Sequence, residues 1–203
     1  MLTIDPLSLP EKENYKFLTG GIIPRPIAFV TSLSKEGVLN GGPFSYFNIV
    51  AANPPLLSIS VQRNNGMKKD TARNILETGE FVVHIVDESN VKKVNLTAAT
   101  LPPDESEIEL AGLTPVESTK ISVPGVKEAK IRMECVLEQS LELGGNGENA
   151  ACDLIIGKIV QYHIDENLYH KGRIDARQLK AVSRLAGSDY AKLGDFFSIE
   201  RPK

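Results

Sequence analysis

The sequence predicts a mainly β protein, a small antiparallel barrel with a few short helices attached. About six or seven strand-like runs, rich in β-branched residues, either alternate apolar and polar positions or read as fully buried strands. Gly, Pro and Asn clusters punctuate them at close spacing, as in small barrels. Helical periodicity is confined to two short stretches, so the strand–helix alternation of a doubly wound parallel sheet is missing. A length of 203 residues fits one such domain, residues 1–203, with a C-terminal tail from about residue 175 that wraps the barrel or a partner subunit.

An acidic, proline-punctuated entry segment precedes the first strand, Pro26 to Leu33, whose nearly continuous apolar run suits burial on both faces. Lys35-Glu36-Gly37 then turns the chain into Val38-Leu39 as a hairpin. Asn40-Gly41-Gly42-Pro43 strips side-chain bulk from the backbone just before Phe44-Ser45-Tyr46-Phe47-Asn48, where rings alternate with small hydrogen-bonding groups. Such a stretch offers a flat polar heterocycle faces and edge donors, and equally makes a tight barrel corner with an aromatic core. After Ile49–Asn53, Pro54-Pro55 forces a new strand to begin. In Leu56–Gln62 the apolar Leu57, Ile59 and Val61 oppose Ser58, Ser60 and Gln62.

Arg63–Gly66 has loop composition, and Asp70 or Thr71 can cap a short helix that places Ala72, Ile75 and Leu76 on one face and stops at Gly79. Phe81–Val86 is the next strand, and Ser89–Ala98 a second short helix. Pro102–Pro124 reads as a surface excursion with one helical turn over Glu105–Ala111, its acidic cluster Asp104, Glu105, Glu107 and Glu109 forming a solvated face. From Ala129, Ile131, Met133, Cys135 and Leu137 alternate with Arg132, Glu134 and Glu138 in a half-exposed strand. A Gly144-Gly145-Asn146-Gly147 turn joins it to Asp153–Ile164, in which Gly157 marks a bend or bulge.

Composition narrows the function classes. A net charge of −3 gives no extended basic surface for nucleic acid. No run approaches the roughly 20 apolar residues of a membrane span, and the N-terminal stretch lacks the features of a secretory signal, so a cytoplasmic protein is expected. Cys135 and Cys152 lack a C-x-x-C spacing and read as buried small hydrophobes, and His84, His163 and His170 lack metal-ligand spacing.

Taken in order, Pro24-Arg25-Pro26-Ile27-Ala28-Phe29-Val30-Thr31-Ser32, Pro43–Asn48, Asn53-Pro54-Pro55-Leu56, Lys69-Asp70-Thr71 with Asn74-Ile75, and Glu80-Phe81-Val82-Val83 resemble the flavin reductase-like, FMN-binding split-barrel proteins, in particular the flavoredoxin-type branch. The resemblance runs from about Ile22 to Tyr190. It implies a split barrel, bound FMN, a homodimer with the flavin near the interface, and electrons received from NAD(P)H or a protein donor. Two departures stand out: His84 occupies a position where the family commonly shows asparagine, and Gly157-Lys158-Ile159 replaces a Gly-Asp-His step found in many short two-component reductases. An electron carrier without a small-molecule substrate, and a barrel module that binds a phosphorylated ligand, are the competing readings.

Cofactor-binding candidates follow. Lys68-Lys69-Asp70-Thr71 joins a cation and a hydroxyl to the open N–H groups of a helix start, which suits a phosphate held by Lys69 and Thr71 if the Asp70 carboxylate points away, and equally describes an exposed capped helix with two solvated lysines. Arg25, held between prolines, is a second cation for a phosphate or ribityl oxygen, or a rim arginine. Thr31 and Ser32 serve the flavin edge or satisfy local backbone. Phe44, Ser45, Tyr46, Phe47 and Asn48, with Ser60 on the polar face of its strand, complete the flavin set. Arg184 is a further cation, at the flavin, at a dimer contact or in solvent. A catalytic residue is not assigned, because in a flavin site the ring carries the hydride and electron chemistry.

Overall fold

The structure, a computed structural model, describes residues 1–145 and 149–202. The elements run α1 (Glu11–Gly21), β1 (Arg25–Pro26), β2 (Ala28–Leu33), β3 (Leu39–Phe44), β4 (Phe47–Ala52), β5 (Pro55–Gln62), α2 (Asp70–Thr78), β6 (Glu80–Ile85), α3 (Val91–Leu96), α4 (Glu107–Leu110), β7 (Pro115–Val116), β8 (Gly125–Val126), β9 (Ile131–Leu143), β10 (Cys152–Ile164), β11 (Tyr169–His170), β12 (Arg173–Ile174), α5 (Ala176–Leu179), β13 (Val182–Arg184) and β14 (Tyr190–Lys192).

The main sheet is antiparallel, in the order β3-β2-β6-β9-β10-β5-β4. Its first hairpin pairs Leu33 with Leu39 across a turn in which Gly37 takes φ 87°. β9 and β10 are long and bend together, with register shifts at Ile156/Gly157 and at Ile159/Gln161. Gly157 is required there: a Cβ would stand 2.3 Å from Cζ of the fully buried Phe81. The barrel core packs Val30, Leu57, Ile59, Val61, Phe81, Val83, Met133 and Ile155 with Ala72 and Ile75 of α2. Each large side chain buried there contributes about 1.5–3 kcal/mol. A second cluster, Ile27, Phe29, Val86, Val94, Ile108 and Val182, lies beneath α3 and α4.

The alternation in β5 is as expected, with Leu57, Ile59 and Val61 buried. α2 ends in a left-handed Gly79 whose N–H bonds to Ile75 O. Several expectations are corrected. The entry segment forms α1, which buries only Thr19. Neither Asp70 nor Thr71 caps α2; both are helical, Lys69 is the N-cap residue, and no side-chain capping bond forms there among the described residues. Glu134 is fully buried, because Thr119 N, Lys120 N and His163 Nε2 all bond to its carboxylate. Its carboxyl is pulled below the usual range, with those bonds outweighing the upward push of burial. Cys152 is half-buried at the start of β10, whereas Cys135 is buried. The tail carries two strands, β13 pairing with β1 and with β14. The expected turn at Gly144–Gly147 falls partly outside the described residues.

His84 is a hydrogen-bonded core residue. Its Nδ1 lies 2.9 Å from Phe29 O, and its Nε2 accepts the Val126 N–H at 3.0 Å, so the neutral tautomer with the proton on Nδ1 satisfies both neighbours. No helix among the described residues is long and apolar enough to cross a membrane.

Candidate functional site

A cleft of about 270 Å³ lies between β3, the start of α2 and the segment 97–107. Its floor exists because β3 carries Gly41 and Gly42. A Cβ on Gly41 would stand 2.5 Å from Ile108 Cδ1, and one on Gly42 would meet the Phe44 ring at 3.3 Å and Thr71 Oγ1 at 3.5 Å. The glycines thus let α4 and α2 approach the strand backbone and leave it bare in the cleft.

Lys68 and Lys69 separate at the mouth. Lys68 Nζ pairs with Glu142 at 2.7 Å, beside a cluster in which Arg63 grips Asp153 through two bonds of 2.6 and 2.9 Å. Lys69 has no carboxylate within ion-pair distance among the described residues, and its Nζ stands 6.0 Å from the centre of the Phe44 ring. Next to it the first amides of α2 have no intrahelical acceptor and, among the described residues, no side-chain cap. The Asp70 carboxylate is drawn to Arg73, 2.7 Å away, which offsets its charge.

The inner wall is polar and buried. Thr71 Oγ1 donates to Asn40 Oδ1 at 2.9 Å, Asn40 Nδ2 donates to Glu107 Oε2 at 2.8 Å, and Gly41 N donates to the same oxygen at 3.2 Å. Glu107 is therefore no part of a solvated acidic face. Only 5% of it is exposed, and burial pushes its carboxyl up, against the downward pull of backbone N–H bonds. Its spacing of four residues from the buried Ala111 placed it on the inner side of the helical turn, a signal in the sequence that the surrounding acidic residues obscured.

Of the candidates, the cleft gathers Phe44, Lys69 and Thr71, and adds Asn40 and Glu107. Ser32 lies behind this wall, fully buried, with its Oγ 3.4 Å from both Asn40 Oδ1 and Asn74 Nδ2. Thr31, also fully buried, donates to Pro124 O at 2.7 Å. Tyr46 lines a neighbouring recess with Tyr15, Leu18 and Asn64, and burial raises its phenol pKa. Ser45 and Phe47 are half-buried, Phe47 packing on the barrel core, and the exposed Asn48 accepts the Ile49 N–H. Ser60 bonds through its N–H to Tyr46 O at 2.8 Å. Two arginines lie elsewhere. Arg25 is buried and donates to Thr19 O, Ile22 O and Leu185 O, clamping α1 and the tail to β1. Arg184 stacks 4.5 Å from the Tyr190 ring centre and donates to Gly187 O.

The family model described as flavin reductase like domain matches residues 20–178, most of the chain. The chain belongs to this family. As a flavin reductase-like protein it carries the flavin dependence and oxidoreductase chemistry of the family. It is similar to the crystal structure of nitrilotriacetate monooxygenase component B from Bacillus cereus, with 67% identity, TM-score 0.97 and 98% of each chain covered. It is also similar to the 2-nitrobenzoate 2-nitroreductase NbaA of Pseudomonas fluorescens, with 32% identity, TM-score 0.89, and 99% of this chain and 96% of that one covered. The flavoredoxin of Desulfovibrio vulgaris (Miyazaki F), 22% identical over 87% of this chain and 90% of its own, shares the split-barrel fold at TM-score 0.74.

Proposed function

We propose that the protein is an FMN-dependent oxidoreductase that holds the FMN phosphate at Lys69 and the first amides of α2, with the glycine floor of β3 beneath. The supporting observation, among the described residues, is a Lys69 ammonium without an ion pair beside a helix start without a side-chain cap, at a cleft whose floor is bare backbone. The donor set suits a phosphate: the Lys69 cation, helix-start N–H groups, and an Asp70 carboxylate offset by Arg73. Bound there, FMN supplies the hydride and electron chemistry. The protein's residues bind and orient it: Lys69 and the α2 amides at the phosphate, Phe44 as an apolar wall, and Thr71, Asn40 and Glu107 as the polar one.

A nicotinamide donor is tested anaerobically. NADH or NADPH should bleach the visible absorption of the FMN-loaded protein within seconds. Reduction by dithionite but by neither nucleotide would make the protein an electron carrier fed by a protein donor.

The reading includes a homodimer. Tyr15, Phe17 and Leu18 of α1 and Ile49 and Val50 of β4 are exposed apolar residues, supporting a second copy as their cover. Sedimentation followed at the flavin's visible absorbance should show a dimer, and a flavin-bearing monomer at micromolar concentration would count against it.

A further inference from the structure

The hydroxyl of Thr71 has one hydrogen, and its direction is fixed by a chain of buried groups. Glu107 Oε2 receives two donors, the Gly41 backbone N–H and Asn40 Nδ2. Carrying no proton, as a carboxylate oxygen or as the C=O of a carboxyl protonated on Oε1, Oε2 accepts from both and donates to neither. Asn40 must then turn its amide nitrogen to Glu107 and its carbonyl oxygen the opposite way, where Thr71 Oγ1 lies 2.9 Å off. A carbonyl oxygen cannot donate, so the Thr71 proton points at Asn40 and its lone pairs are left for the cleft. Asn40, Thr71 and Glu107 are 7%, 4% and 5% exposed, so water has little access to reverse the chain. A phosphate oxygen facing those lone pairs, with the Glu107 carboxylate behind them, would be repelled, whereas a hydroxyl would find an acceptor.

We propose that Glu107 and Asn40 are positioning residues that hold Thr71 as a hydrogen-bond acceptor, so that Thr71 takes a ribityl hydroxyl of the flavin and the phosphate is left to Lys69 and the α2 amides. This rests on the reading of the cleft as the flavin site. It divides the cleft into a polyol-recognising wall and a phosphate-recognising mouth, a distinction that a simple basic pocket would not make.

The test titrates the apoprotein with FMN, with riboflavin, which keeps the ribityl hydroxyls but lacks the phosphate, and with lumiflavin, which lacks both. Thr71→Val should weaken FMN and riboflavin by the same factor, about fivefold for one neutral hydrogen bond, and leave lumiflavin unchanged. Glu107→Gln retains an acceptor oxygen for Asn40 and Gly41 and should keep riboflavin affinity within about twofold of wild type. Glu107→Ala releases the Asn40 amide and should weaken riboflavin without affecting lumiflavin. Weakening of FMN alone by Thr71→Val would make Thr71 a phosphate donor and overturn the proposal. Equal weakening of all three ligands by either Thr71→Val or Glu107→Ala would also overturn it, since that is the signature of a general packing role. Should Glu107→Ala fail to fold, Thr71→Val and Glu107→Gln still decide. Lys69→Ala in the same series separates the two levels: unchanged FMN binding there removes the cleft reading itself, while a loss confined to FMN leaves that reading standing whatever Thr71 does.

Discussion

Lys69→Ala should weaken FMN binding ten- to a hundredfold and leave riboflavin binding unchanged. A charge-assisted bond to phosphate contributes about 1.5–3 kcal/mol, which corresponds to that range of dissociation constants. The neighbouring Lys68 is held by Glu142 and stands near Asp153, so Lys68→Ala should have a smaller effect. Lys69 is exposed and takes part in no ion pair among the described residues, so its removal leaves no buried group unsatisfied. Riboflavin is the internal control. If both ligands weaken alike, the substitution has altered the cleft rather than the phosphate contact, and if FMN is unaffected the phosphate is held elsewhere.

Acid should destabilise the apoprotein through His84. Burial is the main cause of its low pKa, about 3 in the folded protein against 6.5 when exposed. The nearby Arg132 charge lowers it further, while the bond to Phe29 O opposes the shift. Protonating Nε2 would also set its N–H against the Val126 N–H. The unfolded chain therefore binds the extra proton first as the pH falls. The neutral-histidine contribution is complete above pH 6.5 and is lost as the pH drops from there towards 3, at up to about 1.4 kcal/mol per pH unit. His84→Asn also offers a donor group, its NH₂, and an acceptor oxygen but does not titrate. Between pH 7.5 and 4.5 wild type should lose about 2–3 kcal/mol more than this variant in urea unfolding, over and above the acid sensitivity that the carboxylates give to both. Equal losses would mean that His84 is protonated without cost.

The parts of this fold legible in the sequence were those set by near neighbours. Leu57, Ile59 and Val61 show their burial by alternation, Gly37 and Gly79 by the positive φ that a turn or helix end needs, and Gly157 by its place in a long apolar strand. α1 escaped notice because Tyr15, Phe17 and Leu18 are exposed in this chain, so the helix has no buried apolar stripe to give a period. The cleft was half legible. The Lys69 step and the glycines of β3 lie within short motifs, but Glu107 bonds a strand 66 residues away, and Glu134 is satisfied by the amides of a loop. Helical spacing can mark the burial of such a residue, as at Glu107, but no local pattern names its distant partner. Arg25 shows the converse, because the prolines that hold it extended aim it at carbonyls of α1 and the tail.

The most direct measurement is a calorimetric titration of the wild-type apoprotein with FMN and with riboflavin under the same conditions. A phosphate held at Lys69 and the start of α2 predicts one flavin per chain and at least about tenfold tighter binding of FMN. Equal affinities for the two ligands would contradict it.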